Sequence, residues 1–207
     1  MAISYGRKTK NIYILLSHTG TLFTKAIKFY TKAPYNHTSL ALNEDLSEIY
    51  SFGRKNPLNP FVAGFVNENE TEIYGYFKDT TCAIYKLEMN ADIYEKIKMS
   101  ILLFERDKES YKYNLIGLLG VIANSPVKRK NAYFCSQFVY AVLEQNGVKL
   151  FDKPAELVIP KDFHYCKELK LIYQGRLLDY TQRLEVQVYH QSHWEVSSRI
   201  KKLIFGY

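Results

Sequence analysis

Cys135 stands in AYFCSQFVYAVLEQNG, residues 132–147, at the first turn of an expected helix. A helix N-terminus carries about half a positive charge, which favours a thiolate. The thiolate attacks carbonyl carbon, and a backbone N–H at the helix start, that of Cys135 itself for instance, is placed to steady the oxyanion that forms. The other reading of a helical cysteine is a small apolar packing group. A thiol nucleophile needs a base, and the chain has five histidines: His18, His37, His164, His190 and His193. His37 opens the run HTSLAL just after Pro34, where an imidazole can stand at a sheet edge facing a cleft. A hydrogen-bonded structural imidazole is the alternative for each of the five.

The elements that must position these groups can be read from periodicity. NIYILL, residues 11–16, is a short apolar run of β-formers and predicts a buried strand. TLFTKAIKFYTK, residues 21–32, predicts an amphipathic helix that stops before Pro34. NHTSLAL, the turn NED and SEIYSFG predict a β-hairpin. NPLNP, residues 56–60, reads as a rigid loop, and TCAIYKLEM as a further strand. Asn90 is placed to cap a helix running to about Lys108, with Ile93, Ile97, Ile101 and Leu102 on one face. KYNLIGLLGVIAN predicts an apolar helix, SPVKRKN a basic exposed loop, and Phe134 to Gln145 the cysteine helix, closed by Asn146 and Gly147. LKLIYQG is a late strand. Residues 181–207 mix charge and aromatics after the domain is complete, so the expected division is a domain over 1–180 and a C-terminal extension over 181–207.

CSQFV matches the CSxFV core of NlpC-type papain-like cell-wall peptidases, whose cysteine opens a helix. There the histidine usually follows the cysteine; here the plausible one precedes it. That order resembles the circularly permuted papain-like amidases of the YiiX type, themselves related to lecithin retinol acyltransferase-like proteins. AIKFYTKAPYNHTSLAL is similar to that group's helix, turn and histidine-led strand, and PKDFHYCKELKLIYQG to its C-terminal part, so the likeness spans roughly residues 10–180. The resemblance implies an α+β fold of permuted papain-like architecture, an antiparallel sheet packed against a helical part carrying the cysteine. It implies Cys135 as nucleophile and His37 as base in an acyl-enzyme mechanism.

The family's third polar residue lies on the strand after the histidine strand. Pairing Leu42 opposite Leu46 would set His37 across from Ser51; a slip of one residue would bring Phe52 there and Glu48 onto the shared face. Ser51 is the favoured third residue and Glu48 the alternative. Serine departs from the histidine or glutamate more usual there and brings no charge to an imidazolium. Tyr133 could reach the cleft with its hydroxyl, or pack. Arg54 could bind a substrate carboxylate, or be a solvated surface charge. Gln137 could donate to substrate, or sit exposed on its helix.

Composition bounds the rest. The 207 residues are 47% hydrophobic and 24% charged, an ordinary globular balance. The net charge of +7 comes with no nucleic-acid motif, so nucleic acid is not an expected partner. Cys82, Cys135 and Cys166 are odd in number and form no CxxC pair, which argues against a disulfide framework or zinc; no metal or cofactor is expected. Reduced thiols and the lack of any run near the ~18 apolar residues of a membrane span lead to the expectation of a cytoplasmic protein. The tail RIKKLIFGY could lie on an anionic membrane or pack on the domain. The activity the resemblance implies is cleavage of amide bonds in small peptides, wall-derived ones with a free amino end among them. The alternatives are a lipid acyl hydrolase or acyltransferase, and a papain-like binding module without turnover, which the serine at the third position favours.

Overall fold

The computed structural model describes residues 8–19, 34–56, 58–71 and 73–186. The amphipathic helix expected over 21–32 and the tail histidines His190 and His193 lie outside the described residues. The architecture is α+β. An antiparallel six-stranded sheet has the order β4-β3-β2-β1-β5-β8, built from β1 (Thr9–His18), β2 (His37–Ala41), β3 (Ile49–Asn56), β4 (Asn59–Asn67), β5 (Thr81–Asn90) and β8 (Lys170–Arg176). Two short strands, β6 (Lys112–Tyr113) and β7 (Ala132–Tyr133), pair in parallel beside it. The helices are α1 (Ile73–Tyr76), α2 (Ala91–Arg106), α3 (Leu115–Ile122), α4 (Cys135–Gln145), α5 (Pro160–His164) and α6, residues 177–186.

Both faces of the sheet are covered, so alternate residues of the central strands feed two cores. Ile12, Ile14 and Leu16 of β1 face a core shared with Ile97 and Ile101 of α2 and Phe138, Val139 and Val142 of α4. Tyr13 and Leu15 face a second core with Ile49, Ile84, and Leu177 and Tyr180 of α6. This double burial explains why NIYILL reads as a continuous apolar run rather than an alternating one. α6 runs through the expected 180/181 boundary: Tyr180 donates to the Glu44 carbonyl at 2.8 Å, and the helix continues to residue 186.

Asn90 caps α2, accepting from the Asp92 N–H at 2.9 Å. The buried face of α2 is Tyr94, Ile97, Ile101 and Phe104. It is turned slightly from the expected stripe, because aromatic side chains fill the space under β3 and β4 and leave Leu102 exposed. The largest departure from expectation is β4. NPLNP, residues 56–60, reads in the sequence as a rigid loop and residues 61–67 carry no assignment there, yet 59–67 form the edge strand of the sheet, where Pro60 is tolerated because an edge N–H need not pair. Among the described residues no helix is long and apolar enough to cross a membrane.

Candidate active site

α4 begins at Cys135 and is buried from Cys135 to Leu143. Its first turn is held by side chains. Gln137 accepts from the Phe134 N–H at 3.3 Å and from Asn114 Nδ2 at 3.4 Å, and Ser136 Oγ donates to the Val158 carbonyl at 2.7 Å. Gln137 is therefore a buried cap rather than an exposed or substrate-facing residue, and the satisfied donors and acceptors fix the position of the sulfur.

His37 is the first residue of β2, and its imidazole bonds two partners. Nε2 lies 2.6 Å from Glu68 Oε1, and the ring is in hydrogen-bonding contact with the Cys135 thiol, which leaves Nδ1 as the nitrogen facing sulfur. The sulfur also meets the backbone N–H groups of Thr38 and Ser136 and the hydroxyl of Tyr113. Cys135 and His37, distant in the chain, thus share one site, and the sulfur sits where three further donors converge.

Glu68, one residue beyond β4, stands behind the imidazole. It is 3% exposed, and three hydroxyls besides the imidazole bond its carboxylate. Ser39 Oγ donates to Oε1 at 2.8 Å, Ser51 Oγ to Oε1 at 2.5 Å, and Tyr74 Oη to Oε2 at 2.5 Å. A carboxylate that accepts from so many donors is held ionised. Burial alone would raise its pKa, but the His37 charge and the His37, Ser51 and Tyr74 hydrogen bonds outweigh burial and pull it below 4.5. His37 responds in kind. Burial opposes its charge, yet the Glu68 carboxylate, with a smaller contribution from the Cys135 sulfur, lifts it from 6.5 to about 10. Burial likewise works against a thiolate at Cys135, and the His37 hydrogen bond and charge, then the Thr38 and Ser136 N–H groups, reverse the balance and pull the thiol below 9.0. The other two thiols go the opposite way: burial pushes Cys82 up to about 12 and Cys166 up to about 11.

Ser51 occupies the strand expected of it but bonds Glu68. The hairpin register explains this. Leu40 pairs with Tyr50 and Ala41 with Ile49, and the Leu42 N–H donates to the Glu48 carbonyl at 3.0 Å. The loop between the strands therefore includes residues 43–47, with Leu46 at φ 60°, instead of the three-residue NED turn. A shift of two residues preserves the face, so Ser51 sits level with Ser39 and Gly53 lies beneath His37. A Cβ added to Gly53 would stand 3.4 Å from His37 Cε1 and 3.3 Å from Ser51 Oγ. Glu48 lies at the far end of the hairpin, its carboxylate 3.5 Å from Asn43 Nδ2.

The two expected substrate contacts separate. Tyr133 packs its ring against Phe52 at 5.2 Å and Phe104 at 5.6 Å between centroids, so it belongs to the aromatic core. Arg54 is half-buried with its guanidinium 5.8 Å from the Phe77 ring centroid, and its charge is felt at the Tyr113 hydroxyl beside the sulfur. Arg54 stays a candidate for an anionic substrate group; Tyr133 does not. Sequence reasoning missed Tyr113 and Glu68. Tyr113 ends a two-residue strand too short to show a period. Glu68 follows FVAGFVN, a run of β-formers that, read as a strand, would have put an acid just past its end.

His164 serves structure: its Nδ1 lies 2.7 Å from the Tyr85 hydroxyl. Among the described residues no cluster of three or more His, Cys, Asp or Glu side chains could hold a metal ion. Comparison of the chain with models of known families, with curated proteins and with solved structures gives no match.

Proposed function

We propose that the chain is a cysteine hydrolase of permuted papain-like type that cleaves amide bonds in small peptides through an acyl-enzyme. The observation that carries this reading is the connected chain from the Cys135 sulfur through His37 to Glu68, with the sulfur's pKa drawn down while its two sister cysteines are driven up.

The chemistry follows from the charges. The resting pair is thiolate and imidazolium, and Glu68 keeps the imidazolium charged and oriented. The thiolate attacks the carbonyl carbon, and the carbonyl electrons move to oxygen. Backbone N–H groups at the start of α4 and the Tyr113 hydroxyl are the donors for that oxyanion. As the tetrahedral species collapses, His37 gives its proton to the leaving amine, leaving a thioester on Cys135. A water then attacks the thioester while neutral His37 takes its proton. The acid product departs, and the thiolate–imidazolium pair is restored.

Glu68 supplies the charge that Ser51 lacks. It removes the sequence feature that favoured an inactive binding module, since the imidazole is backed by a carboxylate and not by a serine alone. The test is trapping. Incubation with short peptide amides and rapid acid quench should leave an acyl mass on the peptide containing Cys135, and hydrolysed product should accumulate. Cys135→Ala should give neither. An acyl adduct formed only from lipid esters would transfer the activity to the lipid acyl hydrolase or acyltransferase reading, with the same residues in the same roles.

A further inference from the structure

α3 is folded inside out. In an ordinary surface helix the large apolar side chains face the protein and polar ones face water. In LIGLLGVI the inward positions include Gly117 and Gly120, both buried, while Leu115, Ile116 and Leu119 are 55%, 51% and 64% exposed. No charged side chain interrupts this outer face. The glycines let the helix lie directly on the loop that follows it: a Cβ on Gly120 would stand 2.6 Å from the Ser125 carbonyl oxygen and 2.7 Å from Val127 Cγ2. That loop carries Lys128, Arg129 and Lys130, all exposed, and Lys112, also exposed, lies at the loop's end, where its N–H donates to the Asn131 carbonyl at 2.9 Å. Between Glu109 and Glu144 the chain has these four cations and no Asp or Glu. An exposed apolar ridge beside a cluster of four cations, with Glu156 of the adjoining 155–157 turn as the acid packed nearest the helix, is complementary to an apolar interior beneath an anionic skin.

We propose that the outer face of α3 and the 124–130 loop dock on an anionic lipid bilayer, with Leu115, Ile116 and Leu119 entering the acyl boundary and Lys128, Arg129 and Lys130 meeting the headgroups. The surface lies next to the chemistry. Tyr113, which touches the Cys135 sulfur, directly precedes Asn114, the residue that caps α3 by accepting from the Gly117 N–H at 3.0 Å. Docking therefore holds the Cys135 site at the bilayer surface. It does not depend on catalysis by Cys135.

The test is flotation of the full chain with vesicles of phosphatidylcholine alone and with equimolar phosphatidylglycerol. The protein should float with the anionic vesicles, lose binding as salt rises, and stay in solution with phosphatidylcholine. Leu119→Asp changes an exposed side chain and should abolish flotation without altering the circular dichroism spectrum. Reversal of Lys128, Arg129 and Lys130 to Glu should weaken binding on the order of a hundredfold or more, since each cation near an anionic surface contributes a factor of about five. Cys135→Ala should float like the wild type, which keeps this outcome separate from that of the hydrolase reading. Absence of flotation, equal flotation with both vesicle types, or binding unmoved by Leu119→Asp would overturn the proposal. So would a dimer in solution that Leu119→Asp dissolves, which would assign the ridge to a second copy of the chain.

Discussion

Glu68 accepts from His37 at 2.6 Å although their strands are not neighbours: β3 lies between the histidine strand β2 and the edge strand β4 that delivers the glutamate. The carboxylate reaches over β3 because the residues beneath it are small. Ser51 and Gly53 leave room, and Ser51 with Ser39 fills that room with donors. The Glu68 N–H in turn donates to the Ile49 carbonyl at 2.9 Å, so the backbone that places the acid belongs to the same hairpin.

Glu68→Gln should change the titration of the sulfur. Without the carboxylate, His37 falls back from about 10 toward its ordinary 6.5, and an imidazole neutral at physiological pH no longer stabilises a thiolate. The pH midpoint of Cys135 alkylation should move up in this variant. Turnover at neutral pH should fall roughly a hundredfold or more, the scale of losing a positioned acid–base partner.

The same group makes stability depend on pH, with a definite sign. The folded pKa of Glu68 lies below 4.5, so its contribution is full above 4.5 and is lost as pH falls through the folded value. The folded pKa of His37 is raised, so its contribution is full below 6.5 and is lost as pH rises through about 10. Unfolding by urea should therefore show greatest support from the pair between pH 4.5 and 6.5. His37→Ala leaves a buried carboxylate without its counter-charge and should cost about 3 kcal/mol in that window, with a smaller cost at more acid pH where Glu68 can protonate.

Tyr113→Phe should keep the fold, because the ring still packs in the core beside Tyr111 and Tyr133. It removes a hydroxyl from the sulfur and from the expected oxyanion. The loss should appear in kcat, on the order of a hundredfold, with KM little changed, since the oxyanion exists only along the reaction path.

Gly53 is the space the imidazole needs. Gly53→Ala brings a methyl within 3.4 Å of His37 Cε1 and should be tolerated with a small shift. Gly53→Val adds atoms where the ring lies. It should cut activity more than tenfold while the thermal transition moves far less than in His37→Ala, a split that separates displacement of the ring from loss of its charge.

The legible parts of the fold were those whose pattern is local. β1, the β2–β3 hairpin, α2 with its Asn90 cap, and α4 with Cys135 at its first turn all follow from short-range periodicity and capping. The pair Cys135 and His37 was legible from helix position and strand position together with the family likeness. Glu68 was not, for two physical reasons. Pro57 and Pro60 disguise an edge strand as a loop, since an edge tolerates what a central strand excludes. The hairpin loop is also two residues longer than NED suggests, which moves Ser51 from beside His37 to beside Ser39. The exposed side of α3 was hidden for a different reason: LIGLLGVI is apolar throughout, and only the packing of its glycines shows which way the leucines face.

The central claim is that His37 holds Cys135 as a thiolate. Site-resolved alkylation with iodoacetamide across pH, followed by mass spectrometry of the peptides containing Cys82, Cys135 and Cys166, tests it most directly. In the native chain Cys135 should react at neutral pH with a midpoint below 9.0 while Cys82 and Cys166 stay unmodified, and in His37→Ala the Cys135 midpoint should rise. Equal midpoints for Cys135 in the native chain and in His37→Ala, or a Cys135 no more reactive than Cys82, would contradict it.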